Sequence, residues 1–207
     1  MFLIPDKQIA ILFNPRTGSH TLHNLLWRLC RDRFAIPATI DWNVHTPTPE
    51  EHHVHLGWWA MMRAYDVPRL DKYRAFAFYR HPESWFLSAL RYMHRIRPWE
   101  FHENMSPRAF FEAETTMKRQ VSILSGRYWL PGEEIELFNY HDFDNEMVRL
   151  FKELGIDLTK EMIDKYTLRK SFHEFDRVLT DKDKAQIHKY WWEDYHWLEY
   201  KGIELPK

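Results

Sequence analysis

Residues 8–27 read QIAILFNPRTGSHTLHNLLW. A short apolar run, Ile9 to Phe13, stops at Asn14-Pro15; after Arg16-Thr17-Gly18-Ser19-His20-Thr21, Leu22, Leu25, Leu26 and Leu29 recur at helical spacing. This order predicts a strand, a tight turn and a helix, the opening unit of an α/β domain.

The turn has the chemistry of an anion site. The first N–H groups of a helix lack internal partners and carry the positive end of its dipole, so they face an anion placed there. Gly18 lets the backbone approach a ligand closely, Ser19 and Thr21 add hydroxyl donors, and Arg16 adds a permanent charge on a planar fork. GxxxxGK[ST] is missing, which argues against the usual nucleoside-triphosphate loop. A plainer reading of the same residues is that Pro15 and Gly18 only turn a strand into a helix, with Ser19 as its cap.

The 207 residues suffice for one α/β domain, so residues 1–207 are read as a single unit, with no internal repeat or low-complexity linker. The formal net charge of -1 gives no global basic field for nucleic acid, so any anion site must be local. Cys30 is the single cysteine; it excludes an intramolecular disulfide framework and fits a reducing compartment, read as a small buried residue of the first helix. Met1-Phe2-Leu3-Ile4 is halted by Pro5-Asp6-Lys7, so no signal sequence is expected, and no apolar run is long enough to span a membrane. A soluble, cytoplasmic protein is the expectation; the oligomeric state is left open.

Further along, residues 36–51 are turn-rich, with Pro37, Pro47 and Pro49. His45, His52, His53 and His55 lack an HExxH or Cys/His pattern, so no metal site is expected. Tyr73 to Tyr79, YRAFAFY, reads as a buried strand, followed by Arg80-His81 and a helix opened by Pro82 that carries Ser88. Arg80 thus falls at a strand's carboxyl end, where parallel sheets bind ligands. A strand at Glu136 to Tyr140 leads to a helix through Glu153, capped by Asp142 and ended at Gly155. After the charged loop Leu168-Arg169-Lys170-Ser171, a helix from Thr180-Asp181 carries a stripe of Ile187, Tyr190, Trp191, Tyr195 and Leu198 expected to pack on the sheet.

Taken together, these segments resemble the sulfotransferase superfamily, in particular its compact branch related to carbohydrate sulfotransferases. Asn14 to Leu22 resembles the 5′-phosphosulfate loop, and Phe76 to Ser88 resembles the 3′-phosphate element, with Arg, Pro and Ser spaced RxPxxxxxS. Ile135 to Asp157 and Asp194 to Gly202 resemble the family's later strand and closing helix. The resemblance implies a three-layer α/β domain with a central, mainly parallel sheet flanked by helices, of the P-loop-containing nucleotide-binding type. It also implies transfer of a sulfuryl group from 3′-phosphoadenosine 5′-phosphosulfate (PAPS) to a hydroxyl or amine of a carbohydrate or small-molecule acceptor, with no metal required. Arg16, Thr17, Gly18, Ser19, His20 and Thr21 would hold the 5′-phosphosulfate, Arg80 and Ser88 the 3′-phosphate, and Arg169 and Lys170 would close on the donor.

Arg16 stands where the family commonly has lysine. An arginine does not readily give up a proton, so its part would be charge stabilisation on the bridging oxygen. His20 replaces a usual Ser or Thr, and either bonds a sulfate oxygen or points away. His55 is the first choice as base for the acceptor, with His53, His45 and Glu51 in reserve. Two other classes compete: a binding protein on the same fold that has lost turnover, and a kinase-like ATP-binding enzyme. Residues 52–59 and 92–102 are the candidate aromatic walls of an acceptor cleft.

Overall fold

A computed structural model describes residues 2–30, 73–114, 120, 135–167 and 177–204. Four strands form one sheet in the spatial order β1 (Phe2–Ile4), β2 (Ile9–Leu12), β3 (Arg74–Tyr79) and β4 (Ile135–Asn139). β2, β3 and β4 are parallel, and β1 runs antiparallel to β2, with Leu3 opposite Ala10. β1 is an addition to the expected architecture. Its three residues carry no periodic signal, and Pro5–Lys7 forms a single 3₁₀ turn that sends the chain back along itself.

Burial on both faces explains the composition of β2 and of β3 beyond Arg74, since alternation is lost when neither face meets water, whereas β4 keeps an exposed Glu136. Ile9, Ile11, Phe13, Phe76, Phe78 and Phe138 share one core with Leu22, Leu25 and Leu26 of α1 (Ser19–Cys30), Met147, Leu150 and Phe151 of α4 (Phe143–Glu153), and Ile163 of α5 (Lys160–Tyr166). Each such side chain contributes roughly 1.5–3 kcal/mol by leaving water. The alternate positions are mostly small: Ala10 lies beside Ala75, and the larger Leu12 lies beside Ala77, all buried.

A second core joins Trp85, Phe86, Leu90 and Met93 of α2 (Pro82–Ile96) to Phe110 of α3 (Pro107–Ala113), Ile187 of α6 (Asp181–Tyr190), and Trp191 and Tyr195. Ile187, Tyr190, Trp191 and Tyr195 of the C-terminal stripe thus pack with helices α2 and α3. The stripe is not one helix: the chain breaks at Trp191 and resumes as α7 (Trp192–Tyr200). Thr180 opens α6 with a reciprocal capping box to Asp183. Asp142 precedes α4 as expected but makes no cap to its backbone; it accepts instead from Asn145 Nδ2 at 2.7 Å. Gly155, at φ +73°, ends the α4 turn, with Ile156 N–H returning to the Phe151 carbonyl at 2.9 Å.

The architecture is thus α/β, with three parallel strands flanked by helices. Among the described residues no helix is long and apolar enough to cross a membrane.

Candidate functional site

The carboxyl ends of β2 and β3 lie side by side, so the two turns that follow them meet. The β2 turn is pinned from within by Thr17 Oγ1, which donates to the Asn14 carbonyl at 2.7 Å. It is pinned from outside by Trp85 Nε1, which donates to the Pro15 carbonyl at 3.0 Å. Arg16 sits at φ +64° and Gly18 at φ +76°. Gly18 is required twice over, since a Cβ there would lie 2.5 Å from Phe143 Cε2. The first N–H to bond within α1 is that of Leu22, to the Gly18 carbonyl at 3.0 Å, so the N–H groups of Ser19, His20 and Thr21 precede the helical ladder.

Two arginines converge on α2. Arg16 Nε donates to Ser88 Oγ at 3.2 Å, and Arg80 Nε donates to Ser84 Oγ at 3.2 Å. The serines are one helical turn apart, which sets the two pairs about 6 Å from each other along the same face. Arg80 Nη1 also donates to the Arg16 carbonyl at 3.1 Å. Each guanidinium lies over a tyrosine, Arg16 at 4.8 Å from the Tyr92 ring centre and Arg80 at 4.5 Å from that of Tyr140. Among the described residues no carboxylate pairs with either.

Burial is the main reason that both cations are uncomfortable. It lowers the Arg16 pKa below the ordinary arginine value, with Arg95 and Arg91 adding to the effect. It pushes Arg80 down to about 10, with Arg16 and Arg91 contributing. Both remain charged near neutrality. A partly desolvated charge with no carboxylate partner among the described residues is costly, and an anion between the two would offset that cost.

Ser84 links this corner to two histidines. Its Oγ lies 3.0 Å from the His81 carbonyl and 3.0 Å from His141 Nε2. With its one proton given to the carbonyl, Ser84 accepts from Arg80 and from His141, which assigns the Nε2–H tautomer to His141. Burial and then Arg80 lower the His141 pKa. Burial pushes His81 down to about 4, with His141 and Lys184 adding to it, and its Nε2 has no hydrogen-bond partner among the described residues. A cavity of about 340 Å³ opens beside these groups, with Tyr79, Leu87, Asn139 and Ile203 in its walls.

Gln120 ties both turns together. Its Oε1 accepts from Asn14 Nδ2 at 2.8 Å and from Arg80 N–H at 2.9 Å, and its Nε2 donates to the Arg80 carbonyl at 2.7 Å. Its own N–H donates to Oδ2 of Asp194, a fully buried carboxylate, at 3.0 Å.

The structure therefore brings together Arg16, Gly18, Arg80 and Ser88, with Ser88 bonded to Arg16 and Ser84 serving Arg80. Thr17, Ser19 and Thr21 are buried in the turn, and His20 is exposed. His55, Arg169 and Lys170, with the reserves His45, Glu51 and His53, lie outside the described residues. Among the described residues no cluster of three His, Cys, Asp or Glu side chains could hold a metal ion. Ser84, Gln120, Tyr140 and His141 carried no sequence signal of their own, although Ser84 shares the helical face of Ser88 and so could have been found at i−4. No protein-family model matches the chain, and no curated protein matches it significantly.

Proposed function

We propose that this protein is a sulfotransferase of P-loop-like type, moving a sulfuryl group from PAPS to a hydroxyl or amine of a carbohydrate or small-molecule acceptor. The reading rests on one observation: two partly buried arginines at adjoining strand ends are each bonded to a serine, the two serines one helical turn apart, with no carboxylate partner among the described residues. A nucleotide with anionic groups at its 5′ and 3′ positions would satisfy both. Arg16 and the N–H groups of Ser19 to Thr21 would take the 5′-phosphosulfate, and Arg80 with Ser84 the 3′-phosphate. A cavity borders Ser84, the serine bonded to Arg80, although neither arginine lines it.

In the reaction the acceptor oxygen or nitrogen bonds to sulfur as the bond from sulfur to the donor's 5′-phosphate oxygen breaks. The electron pair stays on that phosphate oxygen, where Arg16 stabilises it, and the acceptor's proton passes to a base, assigned to His55 by the family resemblance. Placement and charge stabilisation carry such a transfer, as in phosphoryl transfer.

Radiolabelled donor with a panel of acceptors tests the reading, repeated with Arg16→Ala and His55→Ala. Loss of transfer in both supports it, and full turnover of His55→Ala removes the base assignment. A second reading, donor binding without transfer, has support in Arg16 itself, an arginine tied to Ser88 where a lysine is expected. Calorimetric binding of adenosine 3′,5′-bisphosphate with no transfer to any acceptor selects it.

A further inference from the structure

Gln120 stands apart from the ligand-facing groups, yet its side chain is bonded to both turns. Its amide pairs the N–H and the carbonyl of Arg80, as a neighbouring strand would, just where β3 has ended and those groups would otherwise lack partners. Its oxygen holds Asn14, whose Nδ2 also donates to the Phe78 carbonyl at 3.1 Å, so the β2 turn is bound to the end of β3 twice. Behind it, the buried Asp194 on α7 fixes the Gln120 backbone and thereby the depth to which the side chain reaches.

We propose that Gln120 is a positioning residue that sets the separation of the Arg16 and Arg80 corners, and so gives the site its preference for a ligand with two anionic groups over a ligand with one. This rests on the nucleotide reading above. The physical basis is preorganisation. Two corners held at a fixed spacing gain the second contact without a further ordering cost, whereas corners that drift must be ordered by the ligand itself.

The test compares binding of adenosine 3′,5′-bisphosphate, adenosine 5′-monophosphate and adenosine 3′-monophosphate by calorimetry, in the parent protein and in two variants. Gln120→Met keeps the volume and removes every side-chain hydrogen bond. Gln120→Glu keeps the shape and loses the donor to the Arg80 carbonyl. In the parent the bisphosphate binds more tightly than either monophosphate. In Gln120→Met that advantage falls about tenfold or more, while each monophosphate changes by less than about threefold, and Gln120→Glu lies between. Should Gln120→Met not fold, a reduced advantage in Gln120→Glu serves the same purpose. A general loss of structure would weaken all three ligands alike, so an unchanged ratio in a folded variant overturns the positioning role and leaves the nucleotide reading standing. A parent protein that binds none of the three overturns both.

Discussion

Arg80 donates through Nη1 to the Arg16 carbonyl at 3.1 Å, so the second cation of the site is fastened to the backbone of the first. The bond spans 64 residues of sequence and joins two strand-to-helix turns into one surface. Moving either turn moves both charges, and the ligand-free protein must hold two desolvated guanidinium groups close together.

Arg80→Met separates these effects. It removes a charge-assisted contact, so affinity for adenosine 3′,5′-bisphosphate falls by about 1.5–3 kcal/mol. It also removes one of two like charges held in a poorly solvated corner, so ligand-free stability stays within about 1 kcal/mol of the parent. Calorimetry and denaturant unfolding measure the two quantities. Affinity equal to that of the parent would exclude Arg80 from the anion site.

Gly18→Ala attacks the turn itself. A left-handed φ costs alanine about 1 kcal/mol, and the collision with the Phe143 ring adds roughly 1–3 kcal/mol of overpacking. Phe143→Leu in the same chain removes the collision and leaves the φ cost. The double variant therefore recovers part of the loss, and unfolding of the four proteins in a double-mutant cycle gives the coupling. Strictly additive effects would mean that the ring is not what Gly18 accommodates.

His81 predicts acid sensitivity. Its folded-state pKa near 4 lies below the ordinary histidine value of 6.5 because burial disfavours the charged ring. The unfolded chain then binds the extra proton first, so stability is full above pH 6.5 and falls as pH drops from 6.5 towards 4. The loss is roughly 3 kcal/mol at about 1.4 kcal/mol per tenfold change in proton affinity. Urea unfolding of the parent and of His81→Gln at pH 7 and pH 4.5 shows it: the parent loses more stability than the variant, and equal losses would refute the assignment.

Much of the site was legible because its signals are local. Pro15, Gly18 and Pro82 punctuate strand-to-helix turns, and Arg16 and Arg80 follow short apolar runs at strand ends. Which arginine meets which serine was not legible, since Ser84 and Ser88 share one face of α2 and only the path of the chain between strands decides the pairing. Gln120 was invisible for a stronger reason. Its partners Asn14 and Asp194 lie 106 and 74 residues away, and no local pattern marks a glutamine that completes a strand end. Periodicity shows that the face carrying Ile187, Trp191 and Tyr195 is buried, but not that α2 and α3 are among the elements that bury it.

Arg16→Lys tests whether position 16 faces the anion from a buried place. Lysine keeps the charge but has a compact, strongly hydrated ammonium whose pKa falls readily on burial. The burial that lowers Arg16 would hold a lysine there below its ordinary value of about 10.4. Anion binding requires the protonated form, so affinity of the variant for adenosine 3′,5′-bisphosphate is full below that lowered pKa and declines as pH rises through it. The parent, with Arg80 at about 10 and Arg16 still charged, stays nearly flat between pH 7 and pH 9. Calorimetry at these two pH values separates them: a decline in Arg16→Lys alone supports a charge held in a desolvated anion site, and a flat profile in both would count against that placement.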